Sequence, residues 1–187
     1  MGIAPKLRSW LVLLLLALLP LPLVAVAGGP AVYVVYNSSA ELTALDPVTW
    51  TETSSVTMTL AGRTVVNATG MARHPLTGDL YVLLGLNGQG PRELVTVNPQ
   101  TGAATDIGPA DDGSGLLKFA DIAFAADGSL YGVTGSGSGG SSQSLYQLDA
   151  GNGHAIFLAQ LTAGDWGGAS LAPLPAALPT ISIWRLR

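Results

Sequence analysis

MARHPLTGDLY (Met71 to Tyr81) and DIAFAADGSLY (Asp121 to Tyr131) decide the fold. Laid over one another at an offset of 50, they share an extended segment, a Gly-centred turn and a Leu-Tyr strand start. Further on, ELVTVNPQTG (Glu93 to Gly102) lies over SLYQLDAGNG (Ser144 to Gly153) at an offset of 51. A weaker, earlier copy places AVYVVY (Ala31 to Tyr36) before ELTALDPVTW (Glu41 to Trp50), where Asp46-Pro47 anticipates Asn98-Pro99. Three copies of about fifty residues are therefore visible.

Each copy reads as four short strands. In the second, Met71 to His74 is extended, and Pro75 to Asp79 is turn chemistry in which Gly78 takes positive φ. Leu80 to Leu84 is an apolar run continuous enough for a strand buried on both faces. After a Gly-rich loop, Gly85 to Pro91, comes a strand from Glu93 to Val97. Asn98-Pro99-Gln100-Thr101-Gly102 then reverses the chain: Pro suits the first central position of a type I turn, Asn caps it, and Gly accepts the left-handed conformation. Ala103 to Ile107 closes the unit. The third copy gives Phe119 to Phe124, Leu130 to Thr134, Leu145 to Leu148, a turn from Asp149 to Gly153, and Ala155 to Leu161. The expected fold is all-β: a partial β-propeller of about three four-stranded blades, preceded by a helical signal peptide.

Asp127-Gly128-Ser129-Leu130-Tyr131-Gly132-Val133, together with Val97-Asn98-Pro99-Gln100-Thr101-Gly102-Ala103-Ala104-Thr105, resembles the repeats of secreted bacterial β-propeller proteins. Blades of that family read D-G-x-L-Y-G and then L-Y-x-I-D-P-x-T-G-x-A-T. The resemblance spans Ala31 to Pro173 and implies blade architecture, but no activity, since propellers host lactonases, dehydrogenases, lectins and scaffolds alike. This chain departs from the pattern where Ala150 follows Asp149 in place of Pro, and where the first copy lacks the turn Gly.

Outward from the repeats, the first 27 residues read as a leader. Lys6 and Arg8 form its positive end, Leu11 to Leu19 its apolar stretch, and Ala25-Val26-Ala27 a small-residue cleavage signal, with cleavage expected after Ala27. The competing reading, an uncleaved anchor, meets Pro20 and Pro22 where a spanning helix would continue. The protein is thus expected to be secreted, periplasmic or at the cell surface, with no stable membrane span after cleavage. Eight Lys and Arg stand against 12 Asp and Glu, and losing Lys6 and Arg8 takes the net charge from −4 to near −6. That excludes nucleic acid as an expected partner. Only 11% of residues are charged while 24 are Gly, a composition for turn-rich β structure. With no Cys, there is no disulfide, thiolate zinc site or thiol nucleophile.

The expected organisation is a signal peptide at 1–27, propeller-like repeats over 28–173 (31–70, 71–120, 121–169 and the start of a fourth) and an atypical tail at 174–187. The fourth copy opens at Gly164 to Pro173, Ser170-Leu171-Ala172 lying 49 residues beyond Asp121-Ile122-Ala123. The tail, Leu174 to Arg187, has no Gly and no acid. Blade number argues for the N-terminal part of a longer propeller or a diverted reading frame; the alternative is a self-contained domain closed by a strand over Ile181 to Leu186.

No residue is assigned a catalytic, cofactor-binding or metal-binding role, and no cofactor is expected. His74 and His154 occupy different places in their repeats, and a lone His without convergent partners is more often packed or surface. Asp111-Asp112-Gly113 lacks the alternating acids of a calcium loop. The serines of Gly135 to Ser142 sit in a Gly/Ser run that fixes no nucleophile. Glu41, Glu52, Glu93 and Asp165 are carboxylates whose spacing brings no two together. Trp50, Trp166 and Tyr131 have rings suited to stacking on a sugar or peptide, whereas the recurrence of Tyr33, Tyr81 and Tyr131 marks structural aromatics. Asn37 and Asn67 match the glycan-acceptor pattern, discounted for a chain of bacterial style.

The function expected is a non-catalytic binding or scaffold module for a macromolecule or glycan, recognition falling on loops such as Gly85 to Pro91 and Gly135 to Ser142. The alternative is part of an exported propeller enzyme, hydrolase- or lactonase-like, with its catalytic residues beyond residue 187.

Overall fold

The computed structural model describes residues 31–88, 90–135, 142–161, 170–173 and 181–183. The leader expected at 1–27 with its expected cleavage after Ala27, most of Gly135 to Ser142, and Asp165 and Trp166 lie outside the described residues. Among the described residues the fold is all-β, with fourteen strands and no helix.

Sheet I joins β1 (Val32–Val35), β2 (Glu41–Leu45) and β3 (Glu52–Thr57) in that order. Sheet II holds β4 (Thr59–Leu60), β5 (Val65–Arg73), β6 (Leu80–Leu86), β7 (Glu93–Val97) and β8 (Ala103–Pro109), ordered β4-β8-β7-β6-β5. Sheet III is the meander β9 (Phe119–Phe124), β10 (Leu130–Thr134), β11 (Ser144–Leu148) and β12 (Ala155–Gln160), and sheet IV pairs β13 (Leu171–Pro173) with β14 (Ile181–Ile183). Every pairing is antiparallel except the two-residue contact of β4 with β8.

The strands expected at Glu93 to Val97, Phe119 to Phe124 and Leu130 to Thr134 form as read. Two features differ. β5 begins at Val65, so the division between units at Met71 falls inside a strand. Asn67 and Thr69 dilute its apolar pattern, and tertiary contact decides it: Gly70 lies so close to β9 that a Cβ there would stand 2.8 Å from the Asp121 Cα. The constant offset of 50 also fails upstream of the turn. Ala72 pairs with Tyr81 and Ala123 with Tyr131, so those strands correspond at 51, and the His74 to Asp79 turn is one residue longer than its counterpart. His74 shapes that longer turn, its Nδ1 accepting the N–H groups of Leu76 and Thr77 at 3.2 Å each.

Three hairpins share one turn. Trp50, Gly102 and Gly153 each donate N–H to the carbonyl of Asp46, Asn98 and Asp149 respectively, at 2.8 Å. The side chains of those three cap residues accept a further N–H two positions on, from Val48, Gln100 and Gly151. Aligned on this turn, β1 corresponds to β6 and β10, since Val32, Leu80 and Leu130 pair with the residue preceding each cap, Leu45, Val97 and Leu148. Sheet I therefore carries the second, third and fourth strands of the pattern that sheets II and III show in full. The first strands of sheets II and III lie side by side, with β9 between β5 and β13. Asp121 of β9 reaches across, its carboxylate accepting the N–H of Leu171 at 2.9 Å, and burial raises its pKa.

Successive sheets are joined by a crossing at the outer turn. Leaving sheet I, the chain lays Thr59 against the next sheet's turn, donating N–H to the Gly102 carbonyl at 3.0 Å. Leaving sheet II, Asp111 donates to the Gly153 carbonyl at 3.3 Å and accepts from Ala155 at 2.9 Å. Both glycines have positive φ, 73° and 79°. A Cβ on Gly102 would overlap the Thr57 carbonyl oxygen, and one on Gly153 would lie 2.6 Å from that of Pro109. Glycine is required here twice, by the left-handed backbone and by the strand that crosses it.

Between sheets the interior is apolar. Leu42, Met58, Leu60, Val82, Leu84, Val95 and Val97 pack sheet I on sheet II. Leu83 and Leu94 point the other way, joining Phe119, Ile122, Phe124, Leu130 and Tyr146 between sheets II and III. This is why β6 reads as an unbroken apolar run: alternate side chains serve two interfaces. Ala123, Val133 and Leu171 continue the packing between sheets III and IV.

Gly62 also has positive φ, 72°, but nothing within 4 Å of its absent Cβ. Gly62→Ala is thus expected to destabilise by about 1 kcal/mol through backbone conformation alone. Gly153→Ala loses that amount plus about 1–3 kcal/mol for displacing the crossing strand. Urea unfolding of the two variants measures the difference.

Candidate functional site

At the end of sheet II where β6 turns into β7, a pocket of about 390 Å³ is lined by Arg63, Leu86, Asn87, Gly88, Gly90, Pro91, Glu93 and Pro109. Glu93 opens β7 and Asp106 lies on β8. The hairpin register sets Val95 opposite Asp106 and Glu93 opposite Pro109, and a bulge between Leu94 and Val95 brings the two carboxyl groups within hydrogen-bonding reach. Arg63 arrives from the tight turn that follows β4, where its N–H meets the Leu60 carbonyl at 3.1 Å. Its guanidinium donates to Glu93 Oε2 at 3.0 Å; the Glu93 side chain is 6% exposed and that of Arg63 46%.

Burial raises the Glu93 pKa, Arg63 opposes this by charge, and Asp106 adds to it by charge and by a hydrogen bond. A hydrogen bond between two carboxyl groups needs a proton, which Glu93 holds more tightly than a solvated glutamate does. The pocket thus presents the buried Glu93 carboxyl, backed by Asp106 on β8, and the Arg63 guanidinium beside two proline rings and a leucine. Such a set hydrogen-bonds hydroxyl or amide groups. Sequence spacing alone separates Glu93 from Asp106, but the turn at Asn98 to Gly102 folds one towards the other, and counting outward from that turn reveals the pair.

The other expected residues are placed elsewhere. Glu41 and Glu52 stand at opposite ends of the β2–β3 hairpin. His74 packs on Phe124 at 4.7 Å between ring centroids, and His154 is exposed beside the crossing of Asp111. The Asp111 carboxylate accepts the N–H groups of Gly113, Gly115 and Leu117 at 2.8, 2.7 and 3.4 Å and so organises its own loop. Among the described residues, no group of three or more His, Asp or Glu is placed to hold a metal ion. Asn67 donates to the Asn37 carbonyl at 2.8 Å and accepts from Arg92 at 2.7 Å, so its amide is committed within the fold.

Tyr33, Tyr81 and Tyr131 occupy equivalent places, each packed on the apolar layer facing the next sheet. Burial, then the Asp79 charge, raises the Tyr81 pKa. Trp50 is different: it is 65% exposed and holds φ of 58° at the position glycine takes in the other two turns.

No protein family's sequence profile matches the chain, and no curated protein sequence does. Among solved structures it is similar to Kuenenia stuttgartiensis hydrazine synthase, with a TM-score of 0.48 and 17% identity over 76% of this chain and 35% of that one. The chain spans about a third of the length of that structure.

A Glu pKa above its unfolded value means the folded state binds the proton more tightly. The corresponding stability is present below the unfolded pKa and is lost as pH rises through the folded one. Glu93→Gln is therefore expected to raise the urea midpoint at about pH 7.5 and leave it unchanged near pH 4, where wild-type Glu93 is already protonated. A lower midpoint at the higher pH would show instead that the Arg63 ion pair dominates.

Proposed function

We propose that this is an exported β-propeller-like protein, non-catalytic, that binds a macromolecule or glycan or serves as a scaffold. Sheets I to IV are then successive blades of a partial propeller, with β5, β9 and β13 as the inner strands. The observation that carries this reading is the repeated crossing, Thr59 over Gly102 and Asp111 over Gly153, which ties each meander to the next at the same turn. The matching turns and the tyrosines at equivalent positions support a repeat origin. A leader ending in Ala25-Val26-Ala27 supports export to the periplasm, cell surface or medium.

Binding is favoured over catalysis by the character of the pocket. Glu93 is held between Arg63, which donates to it, and Asp106 on the neighbouring strand, an arrangement suited to recognising polar groups. A net charge of −4 over the whole chain argues against nucleic acid. Two measurements test the proposal. N-terminal sequencing of exported protein is expected to begin at Gly28. A screen against glycans, peptides and intact cell envelopes is expected to give saturable binding, and a blank in all three contradicts a binding role.

A further inference from the structure

The three equivalent outer turns form an internal comparison. At Gly102 and Gly153 the left-handed position is filled by glycine and covered by the crossing strand. At Trp50 the same hydrogen bond closes the turn, but a bulky aromatic residue takes φ of 58° and stands 65% exposed. A non-glycine residue there is strained, at a cost in stability. The indole does not recover that cost by burial, and strain kept without structural return points to function.

Trp50 leads into a polar edge. From Thr51 to Ser55 every residue is exposed, giving Thr51, Glu52, Thr53, Ser54 and Ser55 in sequence. Among the described residues, β3 pairs only with β2, leaving the backbone groups of its other edge outward. Thr49 and Thr51, the sequence neighbours of Trp50, hold their hydroxyls 2.8 Å apart, while Thr53 Oγ1 donates to the Ala44 carbonyl at 3.1 Å and the Ser55 and Thr43 hydroxyls bond at 3.2 Å. A flat aromatic face followed by hydroxyls, one carboxylate and an open strand edge fits an extended ligand with apolar C–H faces and many hydroxyls.

We propose that Trp50 and the edge of β3 form a binding site for an extended, neutral glycan chain, with one sugar ring stacked on the indole and the following units hydrogen-bonded to the open backbone edge and to the Glu52 and Ser54 side chains. An anionic glycan fits less well, because Glu52 stands on the strip and the chain is acidic. This rests on the binding-module reading and gives it a ligand class.

The test titrates purified protein with cellohexaose and with chitohexaose, following the heat of binding by calorimetry, for the wild type, Trp50→Phe and Trp50→Gly. Expected are saturable binding of at least one hexasaccharide by the wild type, an intermediate affinity for Trp50→Phe, and binding weakened at least about tenfold in Trp50→Gly. The melting temperature of Trp50→Gly should meanwhile rise by about 2–4 °C as the strain is relieved. Equal binding by Trp50→Gly overturns the site, and so does a lowered melting temperature, which would make Trp50 a structural residue. Failure of the wild type to bind either hexasaccharide overturns the ligand class; if peptides or envelopes still bind it, the broader binding role stands.

Discussion

The structure depends on two places where one stretch of backbone lies across another with no room for a side chain. At Gly102 and Gly153 the chain leaving one sheet passes over the outer turn of the next, and hydrogen bonds from Thr59 and Asp111 fix the crossing. Because the crossing sets where each new sheet begins, it determines which faces meet. The division of β6 follows: Val82 and Leu84 turn to sheet I, while Leu83 turns to sheet III. A fully buried leucine is worth about 2 kcal/mol, so a sheet lined on both faces contributes far more than an exposed hairpin of equal length.

That arrangement also separates structural aromatics from available ones. Tyr33, Tyr81 and Tyr131 lie on faces that the next sheet covers, and their recurrence is a consequence of packing. Trp50 lies on the turn of sheet I, which no crossing strand covers among the described residues, and so a position reserved for glycine in the other turns carries a large side chain. The Arg63–Glu93–Asp106 set has a related origin. Arg63 stands just after the crossing segment of β4, and Glu93 and Asp106 flank the hairpin that receives it.

Much of this fold is legible in the residues. Asp46, Asn98 and Asp149 mark the caps of three identical turns, and the strands around Glu93 to Val97 and Leu130 to Thr134 follow from apolar runs between turn signals. What escaped was set by contacts between distant segments. β5 starts at Val65 because Gly70 and Thr69 meet β9, with Thr69 Oγ1 donating to the Phe119 carbonyl at 3.2 Å, and neither residue signals a strand alone. The His74 turn hides an extra residue because an imidazole nitrogen does what an Asn or Asp side chain does elsewhere. The carboxyl pair needed the hairpin register and its bulge, which spacing along the chain does not display.

Amide hydrogen exchange at Thr59 and Asp111 tests the crossing most directly. Thr59 opens the two-residue edge strand β4 and Asp111 lies between sheets II and III; apart from their bonds to Gly102 and Gly153 they would exchange as loop amides do. If the crossing joins the sheets into one packed array, these two amides exchange as slowly as those of β7 and β10. Exchange at the rate of an unstructured peptide, with β7 and β10 still protected, would mean that the sheets fold without the crossing and that another contact holds them together.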